Sequence, residues 1–338
     1  MNDKVSHRRV RTQPLTTVLI RASSAELITD IERLAEVAGV DTAVISPSAE
    51  APPSILALTE EPGSARTVRA HFNELFQPEF AGQHVSVNPR TQPADLLELF
   101  VAAGATQRGH IVGVIGAHGG AGATVLAVMM ARQLSQDGST SLVDIDPLSP
   151  GYGILLGLDG TGKRWADVEK ESGTLLPGRL VDALPTWKGV RVLTGDDRGA
   201  APLSGRAGIR AAAAVSQVSA VTVVDLPRFA LLRIEPAAEW LTWLDHLVLV
   251  THPDITALSA AKRSLAMVPA NLATTLVISR VKSVGQADDA AHQLEQEACP
   301  LRYERTLDGD IAHGMTPGDR LRSGSARDIR RIATRVVA

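Results

Sequence analysis

The sequence predicts two successive α/β domains, the second built on a parallel sheet that ends in a phosphate-binding loop. Its 338 residues exceed the size of a typical single domain. Apolar runs of strand length alternate with helical patterns along most of the chain. A glycine-rich turn at residues 113–124 separates a predicted buried strand from a predicted helix. Because hydrophobic residues make up 44% and aromatic residues only 3%, we expect cores of Ala, Val, Leu and Ile.

The first 104 residues predict a tail and a small domain. Residues 1–14 are polar and basic and predict a disordered tail. In residues 15–104 strands and helices alternate, with strands predicted at 16–20, 41–45, 55–58 and 84–87 and helices at 25–38, 66–76 and 94–103. This alternation is typical of a receiver-like domain. Residues 105–109 are the predicted linker to the second domain, which we place at residues 110–338.

The chemistry of a phosphorylated receiver is absent from the first domain. Such a domain needs clustered carboxylates for Mg²⁺ and phosphoryl transfer. After the first strand the chain instead has Arg21, Ala22, Ser23 and Ser24, and after the third it has Thr59, Glu60 and Glu61. We therefore expect a module that binds a partner or dimerises.

The second domain opens with a strand at residues 110–115, a glycine-rich turn and a helix at 124–134. Glycines in such a turn let consecutive backbone N–H groups point at an anion at the helix N-terminus. A phosphate loop also carries a lysine directed at the phosphates and a hydroxyl that ligates Mg²⁺. Thr124 supplies the hydroxyl, but Ala123 occupies the lysine position. The sequence predicts the backbone cradle without its cation.

Carboxylates follow two later strands of the predicted sheet. Asp144 and Asp146 end the strand that begins at residue 141, and Asp225 ends the strand that begins at 221. A strand at 245–254, a helix at 255–267 and a strand at 274–280 continue the alternation. With Thr124, the three aspartates are the predicted Mg²⁺ ligands. The alternative is that they cap strand ends and form turns.

Together these motifs resemble the deviant Walker A ATPases of the ParA and MinD superfamily over residues 108–338. The family loop is K-G-G-x-G-K-S/T, and it aligns with residues 118–124, where His118 and Ala123 replace both lysines. The resemblance implies an ATP site, with Asp146 as the catalytic carboxylate if hydrolysis occurs and Asp225 as the Walker B aspartate. The nucleotide-binding residues that it implies are Gly116, Ala117, His118, Gly119, Gly120, Ala121, Gly122, Ala123, Thr124, Val125, Ser279 and Arg280.

Within that superfamily the chain is most similar to the septum site-determining or CpaE-like (TadZ-like) branch. Residues 151–167 and 224–228 carry this likeness, together with the receiver-like N-terminal domain before the MinD/ParA-like domain. The resemblance implies a role in positioning division or pilus and secretion machinery, with protein partners from that machinery and a homodimer. It also implies weak or no ATP hydrolysis, because the loop lacks both lysines.

Alternatives stay open at each site. The loop glycines could serve only close packing of helix on strand, and His118 is a weak substitute for a lysine because it is neutral near pH 7. Lys163, in residues 157–164, mimics a second phosphate loop but lacks the Ser/Thr. At residues 320–338, arginines flank one apolar helical face. We expect this helix to dock on its domain, ahead of membrane-surface or DNA contact.

Composition limits the remaining function classes. The formal net charge of −3 gives no global attraction to DNA or anionic lipid. The single Cys299 excludes an internal disulfide framework and disfavours the iron-protein branch of the superfamily. No apolar stretch has the length of a membrane span, and no signal-peptide pattern follows the N-terminus. We expect a cytoplasmic protein that partners recruit to the pole, the septum or the inner membrane face. An active ATPase cycling between monomer and dimer is the main alternative, and a DNA-binding partition protein is the third.

Overall fold

A computed structural model of the chain contains two compact units, residues 1–107 and 108–338. The structure describes residues 16–49, 51–52, 54–64, 66–72, 84–105, 108–158, 160–170, 175–201, 205–232, 238–320 and 322–337. The predicted tail at residues 1–14 lies outside these ranges. None of the helices in these ranges combines the length and the apolarity that a membrane crossing needs.

The first unit is a five-stranded sheet with two described helices. Its elements are β1 (Thr16–Arg21), α1 (Ala25–Ala38), β2 (Thr42–Ile45), β3 (Ser54–Glu60), β4 (Val68–Phe72), β5 (His84–Val87) and α2 (Pro93–Gly104). The strand order is β2-β1-β3-β4-β5. The first three strands are parallel, whereas β4 runs antiparallel to both β3 and β5.

The helix predicted at residues 66–76 is wrong, because the structure has strand β4 there. Val68, Ala70 and Phe72 are buried, Arg69 between them is exposed and His71 is half-buried. This alternation has the two-residue period of a strand, not the helical period of 3.6. The strict βα alternation predicted for this domain therefore fails at β4. Residues 73–76 lie outside the described part of the chain.

The second unit is larger. Its strands are β6 (His110–Gly116), β7 (Thr140–Asp144), β8 (Thr186–Trp187), β9 (Val190–Leu193), β10 (Val221–Leu226), β11 (His246–Thr251), β12 (Ala273–Val281) and β13 (Ala298–Arg302). Its helices are α3 (Ala123–Leu134), α4 (Gly153–Leu156), α5 (Trp165–Val168), α6 (Pro177–Ala183), α7 (Gly205–Gln217), α8 (Ala238–Trp243), α9 (Ile255–Met267), α10 (Val284–Leu294), α11 (Leu307–Ala312) and α12 (Gly324–Val337). A 3₁₀ turn spans Arg228–Leu232.

The strands form one sheet in the order β13-β12-β11-β6-β10-β7-β9-β8. Every neighbouring pair is parallel except the short β8–β9 hairpin. Alternate residues of β6 enter two separate hydrophobic cores: Ile111 and Ile115 face one, and Val112 and Val114 face the other. A central strand buried on both faces explains the continuous apolar run in the sequence. The order also brings the loop after β6 next to the ends of β10 and β11.

Residues at the start of the second unit are firmly held. The Arg108 guanidinium donates two hydrogen bonds to the Asp245 carboxylate, and the Gly109 N–H donates to the Ser216 carbonyl at 2.8 Å. A Cβ on Gly109 would lie 1.9 Å from the Ser219 carbonyl oxygen. These two residues, within the predicted linker, therefore belong to the packed second unit.

The C-terminal helix α12 docks on its own unit. Ile329, Ile332, Ala333 and Val336 are buried in the core that also contains residues of α3. The apolar face that a membrane-surface helix would insert is thus already used inside the fold.

Candidate functional site

The glycine-rich loop joins the carboxyl end of β6 to the first turn of α3. Gly120 and Gly122 have φ angles of 75° and 90°, a conformation that glycine adopts without strain. Gly122 is the N-cap of α3 and provides no side-chain capping bond. The first N–H groups of α3 therefore have no side-chain acceptor and point toward the loop, where the helix dipole favours an anion.

Neighbouring strands hold the loop in place. The Ala117 N–H donates to the Val250 carbonyl at 2.9 Å. The Ser279 hydroxyl lies 2.9 Å from the Ala121 carbonyl and 3.1 Å from the Thr251 carbonyl. Ser279 is only 4% exposed. Its side chain thus ties the loop to β11 and β12.

His118 does not bring a positive charge to the loop. Its Nε2 accepts a hydrogen bond from the His252 backbone N–H at 3.3 Å, and its Nδ1 lies 2.9 Å from the Gly119 carbonyl. An acceptor at Nε2 and a donor at Nδ1 define a neutral imidazole. The two imidazole rings meet edge to face with their centroids 4.6 Å apart. Residues 116–125 therefore carry no cationic side chain in this arrangement.

Two of the predicted metal ligands are buried carboxyl groups. Asp144 is 1% and Asp225 is 5% exposed. Burial raises the pKa of Asp225 to about 7, and the nearby Asp144 charge adds to this rise. Burial likewise raises the pKa of Asp144 to about 6. The Tyr152 hydroxyl donates to Asp225 at 2.8 Å, so part of the burial penalty of Asp225 is offset by a hydrogen bond.

The three aspartates have different partners. Asp144 accepts hydrogen bonds from the hydroxyls of Ser149 and Thr194 at 2.7 and 3.0 Å, whereas the nearby Thr124 hydroxyl acts to lower the pKa of Asp225. Asp146 lines the cleft, but its Oδ1 accepts the Leu148 N–H at 2.9 Å in a local turn. Among the residues that the structure describes, no group of three or more His, Cys, Asp or Glu side chains is arranged to hold a metal ion.

The loop forms one wall of a cleft of about 970 Å³. Asp146, Asp225 and the turn that follows β10 also line it, together with one face of α9. Three arginines line the cleft, namely Arg228, Arg263 and Arg280. Within the described ranges none of them forms an ion pair with a carboxylate.

Arg280 lies at an irregular point of β12. Its φ of 57° is left-handed, and the pairing of β12 with β13 shifts register between Ser279 and Val281. Bulges of this kind redirect a side chain and are common beside functional sites, and a non-glycine residue at such a φ costs about 1–3 kcal/mol. The bulge places Ser279 under the loop and Arg280 at the cleft.

Sequence reasoning missed Arg228 and Arg263 as site residues. A signal for Arg263 was present, because Ala260, Arg263, Ser264 and Met267 follow the i, i+3, i+4, i+7 spacing of one helical face. That face could not be assigned to the cleft without the topology. Arg228 directly follows Asp225-Leu-Pro, one turn beyond a predicted carboxylate.

Residues 160–164, at the end of the predicted second phosphate loop, form a structural loop. The Arg164 guanidinium donates to the carbonyls of Thr161, Gly162 and Lys163, and the Lys163 N–H donates to Ala183 at 2.8 Å. The helix that follows, α5, has only four residues. These contacts leave the motif without the strand-loop-helix context of a phosphate loop.

No protein-family model matches the chain. Two uncharacterized proteins of Mycobacterium tuberculosis, from strains CDC 1551 and H37Rv, are each 35% identical over 186 residues, or 53% of this chain. The match spans about half, 51%, of the length of these curated relatives.

Solved structures share the fold. The MinC:MinD cell division protein complex of Aquifex aeolicus aligns with a TM-score of 0.54 at 16% identity, over 67% of this chain and 95% of that chain. The ParA family ATPase of Chlorobium tepidum aligns with a TM-score of 0.52 at 16% identity, over 68% and 99%. The cell division ATPase MinD of Pyrococcus furiosus gives 0.51 at 17%, over 68% and 98%. The chain therefore contains the α/β fold of MinD/ParA P-loop ATPases.

Proposed function

We propose that this chain is a positioning protein of the MinD/ParA type that binds ATP weakly at the cleft and hydrolyses it slowly or not at all. It acts as a spatial regulator or localisation hub for septum placement or for Flp/Tad-type pilus and secretion assembly, as in the CpaE-like branch. The observation that carries this proposal is the glycine loop, which keeps the backbone of a phosphate cradle while Ala123 and the neutral His118 replace its lysines.

Nucleotide binding is supported by three features of the cleft. The N–H groups at the start of α3 have no side-chain cap from Gly122, and Leu148, Phe229 and Met267 add apolar surface. The arginines that line the walls have no ion-pair partner among the described residues. Pockets for small molecules combine mostly apolar walls with a few placed polar groups. A cleft of about 970 Å³ has the size range of such sites.

The residues of the site would hold Mg²⁺ only if phosphate oxygens supplied further ligands. Thr124, Asp146 and Asp225 line the same cleft, so these three residues would hold the ion together with phosphate oxygens. Bound Mg²⁺ would neutralise phosphate charge. Asp144 would act behind them, because Ser149 and Thr194 already occupy its Oδ2 and it is fully buried.

We propose that the first unit is a receiver-like module that binds a partner protein. Its strand order β2-β1-β3-β4-β5 is that of flavodoxin-like folds, although β4 runs antiparallel to the other four strands. Where a receiver collects acidic residues, Glu60 accepts hydrogen bonds from Ser23 and Ser24. In this proposal the cytoplasmic protein reaches the pole, septum or inner membrane face by binding partners.

The alternative is an active ATPase that cycles between monomer and ATP-bound dimer. The position of Asp146 on the cleft favours it, since a carboxylate there could orient water once its turn opens. This alternative predicts measurable hydrolysis that Asp146→Ala removes. The hub proposal predicts slow hydrolysis at most, and no large loss of it in Asp146→Ala.

The test is calorimetric titration of the full chain with ATP and Mg²⁺, with sedimentation of the same samples. Binding without turnover supports the proposal, and sedimentation shows whether binding is coupled to dimerisation. Heat-detected binding with steady turnover supports the alternative. No binding up to millimolar ATP contradicts both, because the cleft would then be a structural remnant.

A further inference from the structure

We propose that Arg228 and Arg263 supply the positive charge that recognises a polyphosphate at the cleft, in place of the loop lysines. The inference rests on the proposed nucleotide cleft and names the residues that give it anion affinity. Both arginines come from elements outside the loop. Neither belongs to the motifs that identify a phosphate loop.

The charged groups around the cleft favour the binding of an anion. Asp225 is buried and accepts a hydrogen bond from the Tyr152 hydroxyl, and Asp146 accepts a hydrogen bond from the Leu148 N–H. The lining arginines are exposed and have no carboxylate partner among the described residues. Elsewhere in this unit exposed arginines such as Arg198 do pair, in that case with Asp167 and Asp196.

Arg228 is held next to the loop by the strand that it follows. Leu226 pairs with Ile115, the residue before Gly116, in the β10–β6 register. The Ala230 N–H donates to the Pro227 carbonyl at 2.9 Å, and Ala230 and Leu231 are buried. The turn is therefore held by a hydrogen bond and by two buried side chains, and Arg228 within it lines the cleft.

Arg263 reaches the cleft from α9. It shares one helical face with Ala260, Ser264 and Met267, and all four line the cleft. Ser264 is buried and Ala261 beside it is fully buried, so α9 cannot rotate this face away without losing core contacts. Asp254 caps the helix by accepting the Ala257 N–H at 2.9 Å.

Arginine suits this task for a chemical reason. Its planar guanidinium donates two parallel hydrogen bonds to phosphate oxygens and stays charged at any physiological pH. Two arginines on separate elements can contact more than one phosphate group, whereas the loop amides contact phosphate through the backbone. The ligand class is therefore a di- or triphosphate, free or as a nucleotide.

The experiment titrates the full chain with two probes, ATP with Mg²⁺ and inorganic tripolyphosphate. The variants are Arg228→Ala, Arg263→Ala and the matched control Arg331→Ala, which removes an exposed arginine of α12. We expect each cleft variant to bind both probes roughly 10- to 150-fold more weakly, the effect of losing one charge-assisted contact. The control should bind as the parent does. Arg228→Lys and Arg263→Lys should fall between, because they keep the charge but lose the planar fork.

The outcomes separate this inference from the proposed function. If the parent binds ATP and the cleft variants bind it equally well, the inference is wrong and the proposed function stands. If the parent binds tripolyphosphate but not ATP, with the loss confined to the cleft variants, the inference stands and nucleotide binding fails. If the parent binds neither probe, both fail. Thermal unfolding of every variant identifies a misfolded protein, and the Lys variants then replace it.

Discussion

Polar groups at the carboxyl ends of the parallel strands have different partners in the two units. In the first unit the Glu60 carboxylate accepts hydrogen bonds from the Ser23 N–H, the Ser23 hydroxyl and the Ser24 N–H. Ser24 in turn caps α1 by accepting the Leu27 N–H. In the second unit α3 begins at Gly122 without a side-chain cap, and the nearby arginines lack carboxylate partners in the described ranges.

We call the carboxyl end of the parallel strands in the first unit the closed edge, because Ser23, Ser24 and Glu60 bond one another there. The corresponding end in the second unit is the open edge, because it borders the cleft. Ligands of open α/β sheets bind outside the carboxyl ends of the strands, but only where polar groups remain to meet them. In the first unit Ser23, Ser24 and Glu60 bond one another, which fits the proposed role in protein contact. The second unit keeps backbone N–H groups, guanidinium groups and buried carboxyls around a cleft, at a cost in stability.

The largest expected effect on stability comes from replacing the buried carboxyl group of Asp225. Asp225→Asn should raise the free energy of unfolding by up to about 4 kcal/mol near pH 8, because burial raises the pKa of Asp225 to about 7 from about 3.9 in an unfolded chain. The native state then holds the extra proton between those pKa values. Stability should therefore fall as pH rises through this window, and the variant should lose part of that slope. Denaturant unfolding at several pH values measures it.

The matched control for this test is the Asp144 carboxyl. Its pKa is raised less, to about 6, so Asp144→Asn should stabilise less and over a lower pH window. A flat pH profile in the parent, or destabilisation by Asp225→Asn at pH 8, would show that the cleft already neutralises this charge.

The second largest effect is expected from a substitution that restores a positive charge at the lysine position of the loop. Ala123→Lys should tighten ATP binding roughly 10- to 150-fold, by one charge-assisted contact of about 1.5–3 kcal/mol. Ala123 is half-buried at the first position of α3. The control Gln136→Lys adds the same charge at an exposed site beyond the other end of α3. Equal gains in both variants would mean a general charge effect, and no gain would mean that the loop does not face phosphate.

The third effect tests the closed edge. Ser24→Ala should destabilise the first unit by about 1 kcal/mol, since it removes the side-chain cap of α1. Hydrogen exchange of the α1 amides in the full chain measures the loss. ATP affinity should not change. Unaltered exchange in α1 would show that the cap carries no stability.

The smallest effect comes from Glu60, a half-buried group at the end of β3. Hydrogen bonds from the backbone and side chain of Ser23 lower its pKa, so its stabilising contribution is present at neutral pH and is lost as pH falls through the lowered value. Glu60→Gln should destabilise α1 less than Ser24→Ala does, and only above about pH 4. The sign is opposite to that of Asp225→Asn. Stabilisation by Glu60→Gln would remove the contrast between the two edges.

Much of the second unit could be predicted from its sequence. The helix predicted at 255–267 is α9 as observed, and α3 begins one residue before its prediction. Both segments have strong patterns bounded by turn signals. Strand β4 was mistaken for a helix because five residues give little periodicity. Strand β13 and helix α7 had no motif to mark them.

The site was less predictable than the fold. The loop and the three aspartates were visible as motifs, because they are contiguous or end apolar strands. The hydrogen bond from the Ser279 hydroxyl to the Ala121 carbonyl could not be predicted, because it occurs beside an irregularity in the pairing of β12 with β13. The roles of Arg228 and Arg263 depend on which elements meet at the cleft, and that is a property of topology.

The central claim is that backbone N–H groups of the loop bind phosphate although the lysines are gone. Hydrogen exchange of the full chain with and without ATP and Mg²⁺ tests it most directly. We predict slower exchange in peptides covering residues 116–125 and the turn at Arg228–Leu232, with α1 unchanged. Unchanged exchange in the loop at millimolar ATP, or protection confined to another region, would contradict the claim.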